Sequence, residues 1–562
     1  MLSFIEKRWL ELTLSLLLGT GSTACFAGDA IRTVTLSGEV PPGVVDGRTF
    51  DSFSIPTVNS SGHVAFVAGL SAGSSSAVSG SGVWSEGAGS LDVVALEGDE
   101  VPGVGDVYFG SFVDGFRSVT LNERGTVAFN AGLLGESIDP ASNTAYLVSR
   151  GDLTVVAARS GDTAIGLPDG VSLDMGTTSG GPQLNNADQL LFSTRLQGAG
   201  VDAENDQVLV GWSGDARTIL GGDGDVLPGT GSTVRISGLQ SIAPDGAPLA
   251  QASLAGAAVE SNDELILRAM NGDYEAIARE GSVAPGAPLG SVFAHQDEMA
   301  GGSLPWFDVN DDGEVAFVAG LAGDSITDRN NQGIWKAVGG TVEPLLLADT
   351  TLAGLGPDEF LDRIGPPNIS NEGEVAFFAA VGGSGIDDSN EFGIWAVNPS
   401  GQSLIAREGQ QAPDTPPGTV FDFTEGVFVV RHFPEANAAG QVAFYGTLAG
   451  PNVELANDGG VWATDLDGQL HLIVREGQEI EVRPGDLRVV DFISTLPLLL
   501  GNGSNALEGL GDSGHIAFRA FFTDGTTGVF VSNLVALPEP SALVLAIALL
   551  VMPVASERSR LP

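Results

Sequence analysis

The chain has 562 residues, with 71 Asp plus Glu against 24 Lys plus Arg, a formal net charge of -47. That balance argues against partnership with nucleic acid or with an anionic membrane surface. A hydrophobic content of 43% together with 79 glycines argues against global disorder and for a large core interrupted by many turns.

Residues 1–27 read as a secretory leader. Lys7 and Arg8 form a charged start, Leu10 to Leu18 an apolar stretch interrupted by Glu11, and Cys25-Phe-Ala27 a small-residue cleavage site. A lipoprotein reading of Cys25 is disfavoured, because Ser22-Thr-Ala lacks the apolar residue usual three before the cysteine. Cleavage after Ala27 removes the one cysteine, so disulfides play no part in the mature chain.

Residues 28–534 are built on a repeat, Asn-x-x-Gly-x-x-Ala-Phe. Good copies begin at Asn59, Asn122, Asn310 and Asn437. Ser370 and Gly511 replace the Asn in two more. Worn copies start at Asn185, where Asp188 takes the Gly place, and at Ala243, making eight. Asn and Gly three apart make a tight turn, because both tolerate positive φ. The Val-Ala-Phe-Val-Ala run that follows, as at Val315–Ala319, is too short for a helix and fits a strand buried on both faces. A second mark follows, Gly82-Val-Trp84, Gly333-Ile-Trp335, Gly393-Ile-Trp395, Gly460-Val-Trp462 and Gly528-Val-Phe530, read as a strand with an aromatic anchor. The third mark is a strand ending in a Gly/Pro loop, as in Val93–Gly103 or Ile405-Ala-Arg-Glu-Gly409. A fourth strand, carrying Phe109 and Phe112 or Phe421 and Phe423, leads to the next Asn. Four antiparallel strands per unit suit a β-propeller blade.

The ends of the array overlap. The mature chain opens on the third mark, Val34–Gly43, and the last unit stops after Gly528-Val-Phe530 without a third mark of its own. The reading is an all-β, eight-bladed propeller of four-stranded blades, closed by an N-terminal strand near Arg32–Leu36 that leaves no free sheet edge. The segments Ser71–Ser81, Gly323–Gln332, Gly382–Glu391 and Gly450–Gly459 vary most and share one face with the Glu-Gly loops, which makes them the expected binding loops. The repeat resembles the family of tandem Asn-x-x-Gly-x-x-Ala-Phe repeat proteins with varied C-terminal anchors, over nearly the whole mature chain. That resemblance implies surface export and no established activity.

Residues 535–562 change character. Pro538-Glu539-Pro540 precedes an apolar run, Ala542–Ala555, and a basic end with Arg558 and Arg560. The run is short for a stable spanning helix, and the arginines would stay cytoplasmic. This order of parts closely resembles the PEP-CTERM sorting signal. The resemblance implies recognition and processing by an exosortase at the inner membrane of a Gram-negative bacterium, and association with exopolysaccharide.

Candidate chemistry is sparse. Asp308, Asn310 and Asp312 have the spacing of a calcium-loop start, but Ala319 stands where the closing acid is needed, and a plain turn is the competing reading. Calcium there is the one candidate cofactor. Glu97, Glu280, Glu408 and Glu476 would form either a carboxylate ring or structural ties, with Arg279, Arg407 and Arg475 placed to pair with acids of neighbouring blades. The five histidines show no metal-ligand spacing, although His63 and His515 would be neighbours in a closed ring. There is no cysteine nucleophile, Gly-x-Ser-x-Gly elbow or phosphate loop. The expectation is a non-catalytic interaction or structural module at the cell surface or in the extracellular matrix. Two alternatives stand beside it, a glycan-acting hydrolase with carboxylates near the ring axis and a calcium-dependent structural module. Non-repeating acids at the axis would mark the enzyme, and regularly repeated ones would mark structure.

Overall fold

The computed structural model describes residues 30–536 except 72–77, 88, 113–118, 137, 139–142, 152, 176–180, 215, 257–262, 271–272, 295–305, 424–431 and 495–508. The leader, its cleavage site at Ala27, His295 and the Pro538-Glu539-Pro540 tail lie outside the described residues. The described elements are strands, gathered into eight antiparallel sheets that follow one another along the chain.

Blade 1 shows the pattern. Its first strand has two pieces, Thr49–Phe53 and Thr57–Val58, followed by Val64–Ser71, Val78–Ser85 and Asp92–Leu96. First strands of successive blades touch, so they line the axis, and fourth strands lie outside. The Ala-Phe strand is second and buried on both faces, since Val64, Ala65, Phe66, Val67 and Ala68 are each at most 2% exposed. Its two faces pack against different blades. Ala65 and Val67 join a core with Phe109 and Phe129 of blade 2, whereas Phe66 and Ala68 join one with Val529 and Val531 of blade 8. The hydrophobic core is thus a set of wedges between blades.

The Gly-x-Trp mark has a steric cause. A Cβ on Gly82, Gly333, Gly393 or Gly460 would lie 2.5–3.0 Å from Cη2 of the tryptophan two residues on, so only glycine leaves room for the ring. Each of these indoles donates from Nε1 to a carbonyl of the hairpin that feeds its own blade: Pro42, Pro285, Ala353 and Pro413. The tryptophan therefore fills the core and pins a connection.

Closure follows the expected design. Ile31–Leu36 forms the outer strand of blade 8, pairing antiparallel with Thr527–Ser532 from Ile31 opposite Ser532 to Leu36 opposite Gly528. Arg32 adds an ion pair at 2.6 Å to Glu86 of blade 1, and Glu39 pairs with Arg483 at 2.6 Å.

In blade 1 residues 72–77 lie outside the described residues, and the variable loops between second and third strands share one latch in blades 3, 5, 6 and 7. In each, an asparagine latches the loop: Asn205, Asn330, Asn390 and Asn457 accept the amide of the residue three before. The same four donate to the carbonyl five before, at 3.1–3.2 Å. Different residues fill the intervening places, which disguises a shared conformation.

Candidate functional site

The Asn turns form a ring around the axis, and in four of them the Asn has two jobs. Within a turn, Asn310 Oδ1 accepts the amides of Asp312 and Glu314, while Gly313 sits at φ 77°. Between turns, Asn310 Nδ2 donates to the carbonyl of Ser370 in blade 6 at 3.0 Å. Asn59, Asn122 and Asn437 likewise reach the carbonyls of Asn122, Asn185 and Gly511 in the next blade. In these four turns the two bonds together need a side chain with both an acceptor and a donor, which Asn has and Asp lacks. In the worn copy Asp188 adopts φ 61°, so the turn survives without its glycine. Asn437→Asp keeps the acceptor but sets a carboxylate against the Gly511 carbonyl. We expect a loss of about 1–3 kcal/mol in urea unfolding, against near-neutrality for an exposed control such as Asn452→Asp.

The calcium candidate is placed by this geometry. Asn310 Oδ1 is occupied by its own turn, Asp312 is exposed, and Asp308 lies on the preceding strand with Oδ2 accepting the Ile369 amide at 2.9 Å. Burial pushes the Asp308 carboxyl up to about 7. The arrangement is that of a turn and an inter-blade tie.

The Glu-Gly glutamates are structural ties where their bonds are seen. Glu408 accepts the amides of Glu391, Phe392 and Phe423, and Glu476 accepts the Gly459 amide and the Tyr445 hydroxyl. Burial raises both carboxyls to about 7. Arg407 pairs with Glu359 at 2.9 Å within its own blade, and Arg475 donates to the Asn457 carbonyl. Pairing with an acid of a neighbouring blade is not what these two arginines make, because the end of the fourth strand lies over its own blade's loop. His515 packs on Gly62, beside His63, as ring closure requires. His432 is buried, stacked on Phe378 and tilted against Phe423.

Two columns beside the Asn escaped the sequence reading. The residue after it runs Ser60, Glu123, Asn186, Pro244, Asp311, Asn371, Ala438, Asp512. In four blades this side chain accepts the amide of the same place in the blade before. Glu123 accepts from Ser60, Asn186 from Glu123, Asn371 from Asp311, and Asp512 from Ala438. Five residues of this column, Glu123, Asn186, Pro244, Asp311 and Asp512, rim an axial well of about 380 Å³ that Leu121, Leu184 and Ile242 also line. Burial, together with the charges of Glu123 and Asp311, raises Asp512 to about 6. Two places before the Asn comes a second polar column, Thr57, Thr120, Gln183, Ser241, Asp308, Asn368 and Glu435. Here Asp308, Asn368 and Glu435 each accept the amide of the residue just before the next blade's Asn-turn position. Aligning the repeats one or two residues to either side of the Asn was the signal available for both columns. Among the described residues, no group of three or more His, Cys, Asp or Glu is disposed to hold a metal ion.

The strand pairing and this axial architecture define an eight-bladed β-propeller closed by its N-terminal strand. The chain belongs to a family of unknown function, DUF7453, which matches residues 20–221, 141–304 and 208–544. No curated protein matches it in sequence. Among solved structures it is similar to the β-propeller domain of the Trilobed protease from Pyrococcus furiosus, with 10% identity and a TM-score of 0.38 over 76% of this chain and 99% of that one. It is similar to a puromycin-hydrolyzing peptidase of Mycobacterium tuberculosis, with 12% identity and a TM-score of 0.30 over 87% of this chain and 62% of that one. An α-L-arabinanase of Penicillium chrysogenum shows 11% identity and a TM-score of 0.27 over 63% of this chain and 92% of that one. Likenesses this distant carry no argument about activity.

Proposed function

We propose that the chain is an exported bacterial surface or matrix protein whose ring is a non-catalytic interaction module and whose tail is processed by a sorting enzyme. One observation carries the non-catalytic part. The acids nearest the axis occupy a repeated place, and Glu123 and Asp512 hold backbone amides of neighbouring turns. Acids spent on ring assembly support structure over catalysis. The export part is supported by the leader residues 1–27 and by the Pro538-Glu539-Pro540 tail. Among the described residues, no helix is long and apolar enough to cross a membrane.

The tail gives the test. A chain ending at Asn533 is expected to be released as a soluble, folded exported protein. Replacing Pro538-Glu539-Pro540 is expected to block maturation and leave the ring folded. Fractionation and intact mass read both. Mature molecules that retain Arg558 and Arg560 would contradict processing and leave a plain membrane anchor as the account. Turnover of the source bacterium's exopolysaccharide by the purified chain would instead favour the hydrolase reading.

A further inference from the structure

The chain leaves blade 8 by a route of its own. In blades 2, 5 and 6 the third strand turns directly into its own fourth strand, at Arg150–Leu153, Val338–Thr341 and Asn398–Gly401. Blade 8 takes its fourth strand from the N-terminus, so no such hairpin follows Ser532. A chain end released in this way frays unless it is tied down. Here the next four residues stay on the ring. Asn533 donates its amide to the Ala30 carbonyl, Leu534 donates to Ser532 Oγ at 3.2 Å, and Ala536 closes a turn onto the Asn533 carbonyl. Val535 is 5% exposed and joins Leu510, Ile516 and Ala443 in the wedge between blades 7 and 8. Its carbonyl accepts Gln441 Nε2 of blade 7 at 2.8 Å, and Gln441 also donates to the Thr464 carbonyl and accepts from Asn437. Gly514 leaves the space for this contact, since a Cβ there would lie 2.6 Å from the Val535 carbonyl oxygen.

This exit has a definite place. Ser532 lies opposite Ile516, just past the Gly511–Gly514 turn, and Ile31 lies opposite Ser532. Both ends of the ring therefore emerge side by side at the Asn-turn face of blade 8. The loops latched by Asn205, Asn330, Asn390 and Asn457 join second to third strands, at the other ends of those strands. Ile516–Phe522, of 7 residues, sets the two faces of blade 8 about 23 Å apart at about 3.3 Å per residue. The tether is short by comparison. The apolar run begins at Ala542, and the stretch from Ala536 to it spans at most about 21 Å when fully extended. To set the latched loops on a bilayer, that tether would have to run the height of blade 8 and then cross a headgroup layer of about 6 Å. It cannot do both. Adhesion does not set the orientation either, because Glu123, Asp311 and Asp512 rim the Asn-turn face and repel anionic headgroups.

We propose that Asn533–Ala536 is a clasp that turns the Asn-turn face toward the membrane while the tail holds the chain, and leaves the latched loops outward for partners. The inference rests on the tail reading above. The clasp fixes where the tail starts, and the tail fixes how far the ring stands off.

The test uses the full chain carrying Cys25→Ser, which leaves no other cysteine. A fluorophore is placed at Ser513→Cys or at Thr523→Cys, at the two ends of blade 8, and the chain is reconstituted into liposomes holding headgroup-spin-labelled lipid. Quenching is expected to be at least threefold stronger at 513 than at 523. Val535→Ser, which lies outside the strands of the ring, is expected to shrink that difference. Leu534→Ser, at a side chain 47% exposed, is expected to leave it unchanged. Equal quenching at the two sites, stronger quenching at 523, or a full difference retained in Val535→Ser would overturn the clasp. Flotation with the liposomes reads the tail separately, and a chain that fails to float counts against the anchor alone. The clasp is then decided in solution by spin-label distances from Glu539→Cys to the same two sites. The distance to 513 is expected to be the shorter and to broaden in Val535→Ser, and a shorter distance to 523 would overturn the proposal.

Discussion

Removing residues 30–36 is expected to convert the protein from a soluble ring into an aggregating chain. The deletion strips the outer strand from blade 8, unpairs Thr527–Ser532 and exposes the edge of a strand in which Val529, Phe530 and Val531 are wholly buried. An uncovered apolar edge is a template for intermolecular pairing. It also removes Leu36 from the wedge between blades 7 and 8, and breaks the Arg32–Glu86 pair. The soluble fraction should fall to a small part of the full chain's. A peptide spanning 28–45, supplied during refolding, should restore some of it. Arg32→Ala, which keeps the strand but loses the bonds to Glu86 and to the Gly62 carbonyl, should stay soluble at a lower melting temperature, because the strand still covers the edge while the buried Glu86 loses its charged partner. A deletion that remains soluble with an unchanged melting temperature would refute closure by this strand.

The second expected result is a stability that rises as pH falls from 8 to 5.5, unusual for a chain that would be expected to need its carboxylates ionised. Burial raises Glu435 to about 8, Asp308, Glu408 and Glu476 to about 7, and Asp223 and Asp512 to about 6. A group whose folded pKa lies above its unfolded value binds a proton more tightly when folded. Its contribution is fully present below the unfolded pKa and is lost as pH rises through the folded pKa. These groups therefore weaken the fold progressively between about pH 4 and pH 8. Asp188, Glu359 and Asp465 are shifted the other way, and their contribution is lost only below the ordinary carboxylate range. Self-repulsion from the net charge of -47 acts in the same direction as the raised group. The melting temperature should be several degrees higher at pH 5.5 than at pH 8, read by calorimetry at fixed salt. Glu435→Gln keeps the hydrogen bond from Leu510 without the titrating charge, and should flatten part of that slope. A melting temperature that climbs with pH across this window would show that these carboxyls are hydrated and ionised in the folded state.

Much of the ring was legible because its signals are local. A turn at Asn310 and Gly313 followed by Val315–Ala322 is specified by residues that touch each other along the chain, and repetition gave the blade count. The overlap of third marks at the two termini gave the closure, since Ile31–Leu36 carries the pattern that the last unit lacks. The shared loop conformation was hidden because only its latch, as in Asn390 or Asn457, is common, and the residues between differ. The axial well was not legible for a different reason. Its acids come from different blades, and the bonds that place them join residues 60 to 74 positions apart. Repetition along the chain determined what each blade is. Which side chains face the axis, which are used up in holding neighbours, and which are left open were decided only when blade packing brought equivalent positions side by side, because burial and partnership are properties of that contact and not of the segment itself.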